Sequence, residues 1–347
     1  MKKRKTFESS KWLKKLFFLI PIFLIACNKP EIQQHSPSAQ DTLNIIIYEN
    51  YVDRTIWEKA DERFQDIFNC KLNIFYKSDL LIEQKEKNEI SPNIDIFVGI
   101  SNTNYFDFPD SLLLKSESIK LVLIDKKFFF DKELRTIPFC YNYLSFLYDA
   151  DIIRNIPKTF GGLQDGDLKK KILLPDPETS SIGRGLLLWS VGLFEVNGYR
   201  HFWKSVKRNI YQLTENYDDS INRFYAKEAP IVLGFLTELE NSQPDTNYNY
   251  FIPQEGYLRY IDGIAISKNT KKLFLVNNFI NYVLNEEFQT IIAENKFMFP
   301  VNKLVLEDVV KTKINKPDKD AWKKLKKYSI KHQIKYWISR WKKTMGK

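Results

Sequence analysis

Residues 174–189, LPDPETSSIGRGLLLW, gather potential chemistry into a short span. Pro175, Asp176 and Pro177 end an apolar run, and Thr179, Ser180 and Ser181 precede an apolar stretch that reads as a helix. Hydroxyl residues ahead of a helix do one of two things. They cap it, their oxygens accepting the orphan N–H groups of the first turn. Alternatively, they join those N–H groups and the positive end of the helix dipole in holding an anionic or polar ligand. The stretch by itself admits both.

Rings are the second resource. The chain has 18 Tyr, 26 Phe and 7 Trp, and several fall at strand ends and loops. Tyr48 follows the first strand-like run, with Tyr51 close behind. Tyr217 sits in TENYDD, Phe235 ends a strand, and Phe297 lies in ENKFMFP. Each alone suits core packing. Together at the edges of an α/β body they suit a slot that holds a flat ring by stacking, or a cation on π-faces.

Catalytic and metal signatures are missing from the sequence. His35, His201 and His332 have no ligand spacing, and there is no HExxH, CxxC or nucleophile elbow. GRG after the hydroxyls lacks the GK[ST] of a phosphate loop. Asp218 and Asp219 read as a solvated pair. These residues point to binding rather than catalysis, with no cofactor.

Charge is concentrated at the two ends. Seven Lys/Arg against Glu8 form a basic leader, followed by an apolar run, Leu16 to Ala26, too short for an ordinary membrane span. It closes on Leu24-Ile25-Ala26-Cys27, a pattern that resembles a bacterial lipoprotein signal and makes Cys27 the expected lipidation site. A polar, Ser/Pro/Gln-rich tether follows. Residues 311–347 carry fourteen Lys/Arg against Asp318 and Asp320. Since the whole chain is only +10, the body between is acidic, which argues against nucleic-acid binding. The tail reads as an amphipathic helix with Trp322, Leu325, Tyr328, Ile334, Trp337, Ile338 and Trp341 inward. Its basic face is either solvated or set against anionic lipid. Cys70 and Cys140 either pair or stay as two buried thiols.

The elements that must carry these residues follow a βαβ rhythm: strands at 43–51, 71–77 and 93–100, with a helix at 53–68. That predicts a parallel sheet whose functional residues lie past the strand C-termini, at Tyr48–Tyr51, Lys77–Asp79 and Gly99–Asn102. IPFCYNYLSFLYD (137–149) reads as a long strand crossing between two lobes. A second α/β unit follows: strand 171–174, helices 183–195 and 197–207, strand 209–213, helix 218–226 and strand 230–235. Residues 256–269 return to the first lobe, which helices at 271–284 and 286–294 close. Such a path builds a hinged clamp around a small ligand.

DPETSSIGRGLLLW resembles Asp-Pro-Arg-Thr-Ser-Thr-Pro-Gly-x-Gly-Leu-Leu-Leu-Trp of the thiamine-binding proteins of bacterial ABC transporters, members of the two-lobed solute-binding superfamily. PFCYNYLSFLYD, EFQTIIAENKFMFPV and YWISRW resemble further stretches of that family, so the likeness spans Leu43 to the end. It implies an α/β, two-lobed periplasmic-binding-protein fold (type 2), each lobe a mixed, mostly parallel sheet flanked by helices. With the lipoprotein-like leader read above, the layout is a signal peptide at 1–26, a lipidated Cys and tether at 27–42, and, as the resemblance implies, lobe I from 43–138 plus 257–347 and lobe II at 139–256. The ligand it implies is thiamine, thiamine monophosphate or thiamine diphosphate, held in the cleft and delivered to an ABC permease and ATPase by a lipid-anchored monomer. Carried over by position, Tyr48, Ser78, Asp79, Ser180, Tyr217, Phe235 and Phe297 are the ligand-binding residues. Tyr217 stands where the family has Trp, Phe235 where it has Tyr, Phe297 where it has Trp, and Cys140 replaces an acidic residue. On this reading Ser180 and the helix start hold the polar or phosphate end of the ligand. A polyamine or ferric ligand in the same architecture, or a surface lipoprotein with an interaction role, are the competing readings.

The anchor has a direct test. Cys27→Ala should abolish palmitate labelling and leave an uncleaved or soluble form; a variant that still incorporates palmitate contradicts the lipidation site.

Overall fold

The structure, a computed structural model, describes residues 41–48, 54–85, 93–116, 119–241, 246–295, 298–309 and 317–347. Cys27 and Phe297, expected respectively to carry lipid and to touch ligand, lie outside these residues, as does Tyr51. Strands β1 (Asp41–Tyr48), β2 (Cys70–Lys77) and β3 (Ile96–Val98) alternate with helices α1 (Arg54–Phe68) and α2 (Leu80–Lys85). Both β2 and β3 pair with β1 in parallel, as the βαβ rhythm predicts. Central β1 is buried from Ile45 to Tyr48 on both faces, which its isoleucine run suits. At the sheet edge, β2 starts with buried Cys70 and Leu72 alternating with exposed residues.

The chain continues through β4 (Leu113–Leu114), β5 (Thr136–Asp149), β6 (Ile172–Pro175), α3 (Ser181–Val206), β7 (Ile210–Thr214), α4 (Tyr217–Tyr225) and β8 (Ile231–Phe235). It ends with β9 (Tyr248–Phe251), β10 (Arg259–Ser267), α5 (Leu273–Val283), α6 (Glu286–Glu294), β11 (Phe299–Pro300), α7 (Lys303–Val309), α8 (Ala321–Leu325) and α9 (Ile330–Met345). The strands run in the order β2-β1-β3-β10-β5-β8-β6-β7, with β4 on β10 and with β9 and β11 on β5. β5 is the shared member. Its first part, Thr136 to Tyr143, pairs with β10, and Leu144 to Tyr148 pair with β8. All of its 14 residues except Tyr148 are buried, so the aromatic run is a central strand.

The helices expected at 183–195 and 197–207 are the two parts of α3, which meet at Glu195, whose φ of 61° and ψ of 177° are not helical. The basic tail forms two helices, α8 and α9, rather than one. The expected inward set holds: Trp322, Leu325, Ile334, Trp337 and Trp341 are buried, and Tyr328 and Ile338 pack partly buried against the core. Trp341 meets Trp203 of α3 edge-on with ring centroids 5.7 Å apart. Some of the tail's charge is neutralised on the body: Lys342 Nζ lies 3.0 Å from Glu178 Oε1, and Lys347 pairs with Asp176. Cys70 and Cys140 are separate, buried thiols.

Gly99 sets how close the strand ends come. Its φ is +91°, and a Cβ there would lie 2.5 Å from the Tyr48 carbonyl oxygen. Its N–H donates to Gly263 O at 3.0 Å, tying the end of β3 to β10. Gly99→Ala should cost about 1–3 kcal/mol through backbone strain and the forced retreat of Tyr48. A thermal melt followed by circular dichroism reads it, and an unchanged midpoint would contradict the close approach.

Candidate functional site

The hydroxyl-rich stretch resolves residue by residue. Asp176 opens it as an Asx turn, its Oδ1 accepting the Glu178 N–H at 2.9 Å. Thr179 donates its hydroxyl to Glu215 O at 2.5 Å, fastening this loop to the one that precedes α4. Ser180, fully buried, is the N-cap of α3: its Oγ accepts the Gly183 N–H at 3.3 Å. Gly183 is needed because a Cβ would lie 2.3 Å from Pro175 O, so the helix start is pressed against the end of β6. The capping role that the sequence left open is therefore filled, and it is filled by Ser180.

What lies at the helix start is a carboxylate. Asp79, 1% exposed, lies between β2 and α2, its Oδ1 accepting the Leu81 N–H at 2.9 Å. The same Oδ1 accepts the Ser181 hydroxyl at 2.7 Å, and Oδ2 accepts the Ser181 backbone N–H. Asn104 and Thr103, past the end of β3, complete the contact. Asn104 Nδ2 donates to Ser181 Oγ at 2.6 Å, and Thr103 Oγ1 donates to Ser181 O at 2.8 Å. At the helix start it is Ser181, next to the capping Ser180, that meets a protein carboxylate. Ser78 is exposed beside it.

One turn on, Arg184 donates Nε to Pro177 O at 3.0 Å and pairs through Nη1 with Asp107. Burial pushes the Asp107 carboxyl up while Arg184 draws it down, and burial pushes the Arg184 guanidinium down while Asp107 raises it. Both shifts have desolvation as the first cause. Removing either partner would leave the other as a buried charge without compensation.

The aromatic candidates fall into two groups. Tyr48 is buried with Leu80, Phe97, Ile100 and Phe108, next to the Asp79 end of the sheet. Burial, and then Glu83, raise its phenol pKa. Tyr217 and Phe235 stand together, with ring centroids 5.2 Å apart, and Phe235 meets Tyr260 edge-on at 5.3 Å. All three are buried, and Tyr217 is the first residue of a helix rather than a loop residue. Its hydroxyl donates to Glu238 Oε2 at 2.6 Å and accepts the Phe235 N–H at 3.4 Å. Burial raises the Glu238 pKa, and Tyr217 and Tyr225 oppose the rise.

Ser181, Thr103, Asn104, Arg184, Tyr260 and Glu238 were not singled out from the sequence. Only Ser181 had a local signal, as one of three adjacent hydroxyls. Two surface cavities, of about 550 Å³ around Tyr250 and about 460 Å³ around Tyr328, are lined by none of the candidate residues. Among the described residues no cluster of His, Cys, Asp and Glu is arranged to hold a metal ion.

Known proteins resemble this arrangement over most of the chain. The family model described as bacterial extracellular solute-binding protein matches residues 91–328. A thiamine-binding periplasmic protein of Brucella suis biovar 1 (strain 1330) is 24% identical over 318 residues, 88% of this chain and 93% of that protein. Among solved structures, a periplasmic thiamin binding protein superposes with a TM-score of 0.75 at 21% identity, covering 90% of this chain and 98% of that one. The periplasmic binding protein AfuA from Actinobacillus pleuropneumoniae, with fructose-6-phosphate bound, gives 0.72 at 18% identity, covering 88% and 99%. The structural likenesses establish a type 2 periplasmic-binding-protein fold. The relatives are transport-associated binding proteins, a non-enzymatic class. With its family model covering well over half of the sequence, the chain belongs to the bacterial extracellular solute-binding protein family.

Proposed function

We propose that this protein captures thiamine, or a close derivative of it, in a cleft between two lobes and hands it to an ABC permease and its ATPase. It acts outside the cytoplasmic membrane as a monomer tied to lipid through Cys27. The observation that carries the reading is the meeting of Tyr48 and Asp79, at the ends of β1 and β2, with the α3 start that bears Ser180. Thr179 joins this point to the loop ahead of Tyr217, and Tyr217 and Phe235 stand ring to ring behind it. A carboxylate and several π-faces at strand C-termini suit a flat, cationic heteroaromatic ligand. The names carried by relatives that match most of the chain agree with that chemistry. The lobe boundaries proposed are 43–138 plus 257–347 and 139–256, so that β5 crosses between them. In this reading Phe297 supplies a further ring and Ser78 lies at the rim.

Titrating the purified protein with thiamine, its phosphates and spermidine tests the ligand class. Tyr217→Ala should weaken thiamine binding by about 1–3 kcal/mol, the range for a lost stacking or cation–π partner. Tyr217→Phe keeps the ring and should retain most of the affinity. Unchanged binding by a folded Tyr217→Ala variant would remove Tyr217 from the site, and tighter binding of spermidine than of thiamine would overturn the ligand.

A further inference from the structure

Helix α9 buries one side and leaves the other in solvent. Ile334, Trp337 and Trp341 are buried in the core, so its apolar face is already covered. On the opposite side Lys335, Tyr336, Ser339 and Lys343 keep the spacing of one helix face, and all four are exposed. α8 adds exposed Lys323, Lys324 and Lys326. Residues 321–347 hold ten Lys/Arg and no Asp or Glu. Two of these cations, Lys327 and Lys331, reach Glu195 and Asp110 at 2.8 Å, and Lys342 and Lys347 turn to Glu178 and Asp176. Among the described residues the five outward lysines make no ion pair. Nor does this charge serve the helix itself: the first turn of α9 has no acidic residue, and Lys331 and Lys335 stand one turn apart as like charges. Tyr336, 48% exposed, lies under the Arg340 guanidinium, 5.2 Å from the ring centroid, and an exposed tyrosine among cations suits a boundary between water and lipid. The row from Lys335 to Lys343 lines neither cavity, so it offers no enclosed place for a small ligand. What it matches is an extended anionic surface, which attracts this face and repels the acidic body behind it.

We propose that the outward face of α9, extended by the exposed lysines of α8, docks on an anionic lipid surface and holds the body in one orientation against the membrane. The inference rests on the lipid-anchored reading above and adds a second contact with the same surface. Cys27 and Asp41 are 14 residues apart, a stretch that reaches at most about 50 Å, so a lipid on Cys27 keeps this face near the bilayer. With its apolar side buried, α9 docks by charge and does not insert; no helix among the described residues is long and apolar enough to cross a membrane.

The test reconstitutes the full chain, made in a bacterial host, with vesicles of phosphatidylcholine alone or mixed with phosphatidylglycerol. Flotation checks attachment, and mass spectrometry reads the acetylation of individual lysines. Labelling of Lys335 and Lys343 should fall at least about threefold on the anionic vesicles, since each cation near such a surface is held by its potential. Lys59 and Lys71, exposed on α1 and β2, should label equally on both. High salt should restore the labelling by screening. Lys335→Glu combined with Lys343→Glu should remove at least about half of the protection at Lys323 and Lys326 and leave the melting midpoint in place, because both side chains are exposed. Equal labelling of Lys335 and Lys343 on the two kinds of vesicle, protection spread evenly to Lys59 and Lys71, or undiminished protection in the folded double variant overturns the proposal. So does equal protection by inorganic phosphate at matched ionic strength on phosphatidylcholine vesicles, which assigns the face to free anions. A chain that fails to float with phosphatidylcholine contradicts the anchor instead. Flotation with the anionic vesicles alone then still supports the docking face, and flotation with neither overturns both.

Discussion

Strand β5 must satisfy two sets of neighbours at once, and the architecture around it follows from that. Its first part hydrogen-bonds to β10 and its second to β8, so it is enclosed along its length and carries apolar or aromatic side chains almost throughout. Asn102 reinforces the pairing beside it: its Nδ2 donates to Arg259 O and its Oδ1 accepts the Ile261 N–H, both at 2.9 Å. A side-chain amide thus stands in for backbone on the free side of β10, which keeps these buried polar groups satisfied.

The contact between those strand ends and α3 is polar where most of the interior is apolar. Burying Asp79, Asp107 and Arg184 costs solvation, and the opposed shifts of Asp107 and Arg184 record that cost. What the arrangement gains is direction. The donors of Ser181 and the Arg184 side chain reach Asp79, Pro177 and Asp107, from three separate loops. Displacing one group leaves others buried without partners, so the cluster accepts few alternatives.

Much of the framework was legible before any coordinates. The parallel βαβ start, the long crossing strand, the two helical pieces meeting near Glu195 and the inward tryptophans of the tail all follow from hydrophobic period and punctuation. The split of the tail into α8 and α9 was less visible, because Tyr328 and the apolar residues on either side of the turn keep a helical spacing through it. Asp79 and Ser180 were legible as site candidates from their places, past the end of the second strand and at a hydroxyl-rich helix start, and the resemblance added to that. Their roles were not, since Ser180 and its neighbours Thr179 and Ser181 are chemically interchangeable as caps.

Local order is written in nearest-neighbour terms, and the chain alone carries it: which segments are strands, which faces are apolar, where a helix can begin. Through-space pairing is not written that way. Ser181 and Asp79 are 102 residues apart, Asn104 and Ser181 77, and Tyr217 and Glu238 21. No period or spacing links them: the first two pairs meet across the join of the two halves of the sheet, and the third only when α4 packs beside the end of β8. The pairing of Ser181 with Asp79 was therefore decided by tertiary structure, through the requirement that each buried donor find the acceptor that packing brings within reach.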